Sequence, residues 1–211
     1  VEMQRVLPLV RALRDAGAAV SVDTSRPEVM RAVLDEGAAI VNDVRSLALE
    51  GALAEVARRD CGVVLMHMQG TPRTMQADPS YDDVVAEVGD FLRRRRDDLV
   101  SAGVARERIA LDPGFGFGKK GVHNRRLLAQ LGALAACGQP LLAGLSRKSS
   151  LGEITGRPVG ERVFASVAAA LIAVQNGARI VRVHDVAPTR DALAVWAAVE
   201  QARREPAAPR A

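Results

Sequence analysis

Six short runs of Val, Ile, Leu and Ala along this chain each end in a polar or ionisable residue. SVD closes at Asp23, IVND at Asn42 and Asp43, and VVLMH at His67. IALD closes at Asp112, LLAGLSRK at Ser146 and Lys148, and IVRVH at Arg182 and His184. Between successive runs lies a stretch with apolar residues at helical spacing. Near-continuous aliphatic runs joined by helices describe parallel strands buried on both faces. In barrels built this way the carboxyl ends of the strands share one mouth, where chemistry is done.

The order of elements narrows the fold further. A helix over residues 2–15, carrying Pro8, precedes six strand–helix units. Ser25-Arg26-Pro27-Glu28 has the form of a capping box with proline in the first turn, and opens a helix to Glu36. Two long polar loops are expected, MQGTPRTMQADPSY after the third strand and SRKSSLGEITGRPVG after the fifth. The helix over residues 161–176 is nearly apolar all round, as a helix packed into a sheet or a subunit interface would be. A complete (β/α)8 barrel needs eight strands. The expected architecture is α/β of the TIM-barrel type, with six units and a leading helix, in one domain over residues 1–211 that is incomplete at its N-terminus. Residues 205–211 read as a frayed tail. An open doubly wound sheet is the competing architecture.

Composition bears on function mainly by exclusion. Aromatics make up only 3% of the chain, which argues against a base-stacking surface, so the formal charge of +4 fits an anionic small substrate rather than nucleic acid. Cys61 and Cys137 lie in different units and form neither a CxxC motif nor a metal-spaced pair. A reducing, cytoplasmic compartment is expected. No apolar run reaches the length of a membrane span, and no signal-peptide pattern opens the sequence.

The strand-end residues suggest their own chemistry. Asp112, followed at once by Pro113 and a run of glycines, can accept paired donors from a heterocycle bearing ring N–H and amino groups. Asp23 and Asn42 offer a second acceptor and a donor–acceptor pair, unless Asp23 caps the next helix. Lys148 is one of three lysines and suits an anionic or aromatic substrate, or else is a solvated loop residue. Arg182 and His184 alternate with valines and so point to one side, as a phosphate or pyrophosphate pocket requires. The other reading pairs Arg182 with Asp185 or another strand-end carboxylate. GFGFGKK has the spacing of neither a dinucleotide fingerprint nor a P-loop, but its glycines would let Phe115 or Phe117 approach a flat ligand. The three histidines lack metal-ligand spacing. Arg93–Arg96 reads as a solvated helix face, and Met66 as core or pocket lining.

SVDTSRPEV, IVNDVRS, LMHMQGTPRTMQ, LDPGFGFGK, GLSRKS and RVHD, in this order and at this spacing, resemble dihydropteroate synthase over about residues 2 to 200. The resemblance implies a (β/α)8 barrel that joins 4-aminobenzoate to 6-hydroxymethyl-7,8-dihydropterin pyrophosphate. The product is 7,8-dihydropteroate, for folate synthesis, and sulfonamides are its inhibitors. It implies that Asp23, Asn42 and Asp112 contact the pterin ring and that Lys148 contacts the pterin and borders the aminobenzoate site. Val44, Met66, Phe117 and Ser146 line the pocket, and Arg182 and His184 hold the departing pyrophosphate. Asp112, Lys148, Arg182 and His184 would carry catalysis. Mg2+ is the implied cofactor and a homodimer through helices near the C-terminus the implied assembly.

No residue of this sequence is expected to ligate the metal. The family's asparagine ligand belongs to a front segment resembling NVTPDSFSDGG, which has no counterpart here, nor has a second resembling GGESTRPG. The expectation is a pterin cleft whose turnover depends on those segments. The remaining readings are a non-catalytic pterin-binding scaffold and a methyltetrahydrofolate-dependent methyltransferase-like barrel.

Overall fold

A computed structural model of the chain describes residues 2–205. Helix α1 (Glu2–Asp15) is followed by β1 (Ser21–Asp23), α2 (Pro27–Asp35), β2 (Ile40–Asp43), α3 (Ala52–Ala57) and β3 (Gly62–Met66). The second half runs α4 (Val84–Ser101), β4 (Ile109–Asp112), α5 (Gly121–Ala129), β5 (Leu141–Ala143), α6 (Ser149–Thr155), α7 (Val163–Gln175), β6 (Ala178–Val181) and α8 (Val186–Arg204). All six strands are parallel and pair strictly in chain order, β1-β2-β3-β4-β5-β6. Sequential order with a helix after every strand is barrel topology; a doubly wound sheet would reverse its order at a switch point. The sheet curls far enough for Arg182, just past β6, to reach Asp23 at the end of β1.

The core lies between the sheet and its helices. Val63, Leu65, Ile109, Leu111 and Leu141 of the strands pack with Val88, Leu92, Leu99, Leu127 and Leu134 of the helical layer, all at most 2% exposed. A satellite cluster of Val10, Val20, Val22, Val29 and Val33 holds α1 and α2 against β1. Helix α1 runs through Pro8 without interruption and buries only Val10.

Several local expectations change. The segment after β5 is not a loop throughout: Ser149–Thr155 is helical, with Gly156 at φ +70° ending it. The sequence predicts one helix over residues 124–136 here, whereas α5 spans Gly121–Ala129 and a 3-10 turn follows over Leu131–Cys137. Ser25 does not cap α2, because its hydroxyl donates to Asp43 and no side chain caps that helix. The arginine run is not simply solvated. Four consecutive residues fan around a helix, so two face inward: Arg95 donates to the Ser46 carbonyl, and the buried Arg96 to that of Cys137. The tail beyond Glu205 lies outside the described residues.

Candidate active site

The register of the sheet sets the strand-end residues side by side. Asp23 is the register partner of Asn42, and Met66 of Asp112. Asn42 Nδ2 donates to Asp23 Oδ2 at 2.9 Å, and Arg182 Nη1 donates to the same oxygen at 2.8 Å. Asp23 is therefore not a helix cap, and Arg182 takes a strand-end carboxylate as partner. Asp185 is not that partner: it binds Arg147 through two hydrogen bonds of 2.6 and 3.1 Å, which hold its carboxyl below the usual range.

Arg182 and His184 open on one cavity of about 410 Å³, with Gly144, Ser146, Lys148 and Val183. The Ser146 hydroxyl lies 2.9 Å from His184 Nδ1 and accepts from the His184 backbone N–H at 3.2 Å. Strand β6 itself stops at Val181, so this pair sits on the exit from the strand rather than on it. Lys148 Nζ lies 4.2 Å from the centroid of the Phe117 ring, in cation–π contact. Burial pulls the Lys148 pKa down, and the Asp112 carboxylate opposes that shift.

Asp112 is 3% exposed and accepts the Gly114 N–H at 2.7 Å. Burial raises its pKa; the Gly114 N–H, Arg182, Lys119 and Lys148 pull in the opposite direction. Val44 and Met66 line a separate cavity with Met68 and Phe91, so the expected pocket residues divide between two hollows. Met66 is 1% exposed. Phe115 is core at 1% exposure and takes no part.

Three residues at this mouth had no role in the sequence reading. Asp43, fully buried, accepts the Arg45 and Leu47 N–H groups at 2.8 and 2.7 Å and so shapes the turn after β2. His67 and Lys119 form a buried pair, Nδ1 to Nζ at 2.9 Å. Burial, then the Lys119 charge, depresses His67 to about 3, and burial lowers Lys119 to about 7. A lysine inside a glycine run was the available signal.

No group of three His, Cys, Asp or Glu side chains among the described residues could hold a metal ion. Nor is any described helix long and apolar enough to cross a membrane.

The sheet is parallel and of barrel type, with carboxylates and cations at its carboxyl mouth, and residues 1–184 match the family described as pterin binding enzyme. The chain is 47% identical over 202 residues to the dihydropteroate synthase of Haemophilus influenzae, covering 95% of this chain and 74% of that one. It superposes on the crystal structure of dihydropteroate synthase from Stenotrophomonas maltophilia, with imidazole bound in the active site, at a TM-score of 0.92 and 56% identity, covering 94% and 76% of the two chains. The Burkholderia cenocepacia enzyme complexed with 7,8-dihydropteroate gives 0.91 and 53%, covering 96% and 75%. The chain belongs to the dihydropteroate synthase family, transferases of folate biosynthesis.

Proposed function

We propose that residues 2–205 act as one pterin-binding domain. In this reading Asp112, Asn42 and Asp23 hold the ring of 6-hydroxymethyl-7,8-dihydropterin pyrophosphate, and Arg182 and His184 hold its diphosphate. The observation that carries this reading is a buried carboxylate, Asp112, at the end of β4, on the mouth where Lys148, Arg182 and His184 line one cavity. A carboxylate matches the paired N–H donors of a pterin edge. Arg182 is half exposed and held by one hydrogen bond, so a diphosphate can draw it away from Asp23. Lys148, stacked on Phe117, borders the aminobenzoate. Ser146 orients His184, while Val44 and Met66 line the floor of the neighbouring hollow.

In the reaction the amine nitrogen of 4-aminobenzoate forms a C–N bond to the exocyclic methylene of the pterin. The C–O bond to the diphosphate breaks, and its electron pair leaves with the diphosphate. The amine proton passes to solvent. Cation density on the methylene is stabilised by the ring held at Asp112, and negative charge on the leaving group by Arg182 and His184. The magnesium that the resemblance implies does not fit a ligand set built from the described residues.

The assembly in this reading is a cytoplasmic homodimer. Its support is the apolar surface near the C-terminus, where Phe164 is 85% exposed and Val195 67%. Calorimetric titration with the dihydropterin pyrophosphate, followed by a product assay with 4-aminobenzoate, tests the proposal. Binding is the expected outcome, and 7,8-dihydropteroate formation is expected once front segments resembling NVTPDSFSDGG and GGESTRPG are supplied. Binding without product even then would favour the scaffold reading, and no binding by the folded protein would overturn the assignment.

A further inference from the structure

Lys119 has the environment of a clamp. The residue is 3% exposed, and its ammonium lies 2.9 Å from His67 Nδ1, 3.0 Å from the Gly114 carbonyl and 3.0 Å from the Phe117 carbonyl. The His67 carbonyl stands farther off at 3.4 Å. An ammonium has three N–H donors and no acceptor, so the three near partners match it one for one. His67 must then carry its proton on Nε2, leaving Nδ1 as the acceptor. Among the described residues no carboxylate bonds to this lysine; the acid that bears on its charge is Asp112.

Two of the three partners lead directly to site residues. The Gly114 peptide donates its N–H to Asp112 Oδ1, while the carbonyl of the same residue accepts from Lys119. Phe117, whose carbonyl Lys119 also holds, carries the ring beneath Lys148. The loop is drawn so close to the end of β3 that a Cβ on Gly114 would stand 1.9 Å from the His67 carbonyl oxygen, and one on Gly118 2.5 Å from that of Gln69. Both glycines have positive φ, +71° and +63°. An unpaired cation would be expelled from so closed a space. Satisfied by three acceptors, it ties the loop to the strand.

Resting on the pterin-binding reading above, we propose that Lys119 is a positioning residue: it tethers the glycine loop to His67 and, through the Gly114 peptide and its own charge, keeps the Asp112 carboxylate ionised and aimed at the pterin. The charged groups that bear on Asp112 are Lys119 of the same loop, Lys148 after β5 and Arg182 after β6. His67, after β3, faces the site as a neutral ring. Removing Lys119 therefore subtracts one of three cations and loosens the N–H that binds the carboxylate. Both changes raise the pH at which Asp112 ionises.

The test is Lys119→Met, which keeps the stem and removes donors and charge, with the exposed Lys120→Met as the charge-matched control. Binding of the dihydropterin pyrophosphate is followed by calorimetry at acid pH up to about 6.5, below the value of about 7 to which burial lowers Lys119, where a carboxylate requirement appears as an acid limb. Lys119→Met is expected to lose at least about tenfold in affinity at about pH 6 and to move that limb to higher pH, with Lys120→Met unchanged. Affinity within about twofold and an unmoved limb overturn the proposal while leaving the pterin reading intact; absence of binding by the unaltered protein overturns that reading itself. Should Lys119→Met not fold, nitrogen NMR of the unaltered protein decides. A His67 ring with unprotonated Nδ1 down to about pH 5 supports the clamp, and one that takes up a proton near 6.5 overturns it.

Discussion

Arg182 Nη1 donates to Asp23 Oδ2 at 2.8 Å across 159 positions of sequence, joining the exit of the last strand to the end of the first. Both side chains are 46% exposed, so the bond is a surface ion pair and stabilises little, about 0 to 1 kcal/mol. Its meaning is positional. In the proposed function it places the arginine assigned to the diphosphate and a carboxylate assigned to the pterin in contact before substrate arrives, each satisfying the other. A diphosphate that captures Arg182 leaves Asp23 bonded to Asn42 alone and open to ring donors.

Arg182→Gln should therefore spare the fold and damage one half of the substrate. A melting temperature close to that of the parent is expected, because an exposed pair is lost. Affinity for the dihydropterin pyrophosphate should fall by at least about tenfold, as loss of a charge-assisted contact does. Affinity for the pterin alcohol that lacks the diphosphate should fall less, through the weaker support that Asp112 then has. Equal losses for the two ligands in calorimetry would remove Arg182 from the anion site.

Asp112→Asn replaces an acceptor-only group by one that also presents N–H donors to the ring. The mismatch should cost roughly 2 kcal/mol or more of pterin binding, about thirtyfold. Near-parental affinity would take Asp112 out of the site.

Stability should depend on His67 below neutrality. Its ring is depressed to about 3 in the folded chain, against about 6.5 when unfolded. Between those values the unfolded chain binds a proton that the folded one does not. The contribution is thus fully present above 6.5 and lost as pH falls towards 3, at up to about 1.4 kcal/mol per pH unit. His67→Asn keeps an acceptor for Lys119 but cannot titrate, so its unfolding free energy should show a shallower acid slope. Parallel slopes in chemical denaturation would contradict the burial of a neutral ring.

Gly114 and Gly156 share a left-handed backbone but not a setting. At Gly156, φ +70°, a Cβ would meet nothing within 4 Å, and Gly156→Ala should cost only about 1 kcal/mol. At Gly114 the new methyl would collide with the His67 carbonyl oxygen at 1.9 Å. Gly114→Ala should cost more than about 3 kcal/mol or prevent folding, as urea titration of the two variants would show. Similar costs would mean that the loop yields.

The apolar surface of α7 and α8 gives the last expectation. Phe164→Glu should shift sedimentation from dimer towards monomer, since a charge in an apolar contact is strongly unfavourable. An unchanged sedimentation coefficient would count against the proposed dimer through this surface.

The strands, their parallel pairing and the side on which Asp23, Asn42, Asp112 and Lys148 stand were all legible from sequence. Each follows from local periodicity and from the rule that barrel strands direct their carboxyl ends to one mouth. Helix α6 was hidden because a seven-residue helix inside a Gly- and Ser-rich stretch has too few apolar positions to show a period. The inward arginines were hidden because a run of identical residues carries no sign of which of them face the core.

By itself the sequence determined an alternating α/β chain, the polar residue at each strand end and the family those strings resemble. Only the tertiary structure decided which of those residues bind one another. The partner of Arg182 is 159 positions away, and the acceptors of Lys119 come from a strand end 52 positions back as well as from its own loop. Such pairings depend on how far the sheet curls and how closely the glycine loop approaches β3. Both follow from packing across the whole barrel, to which periodicity along a single segment is blind.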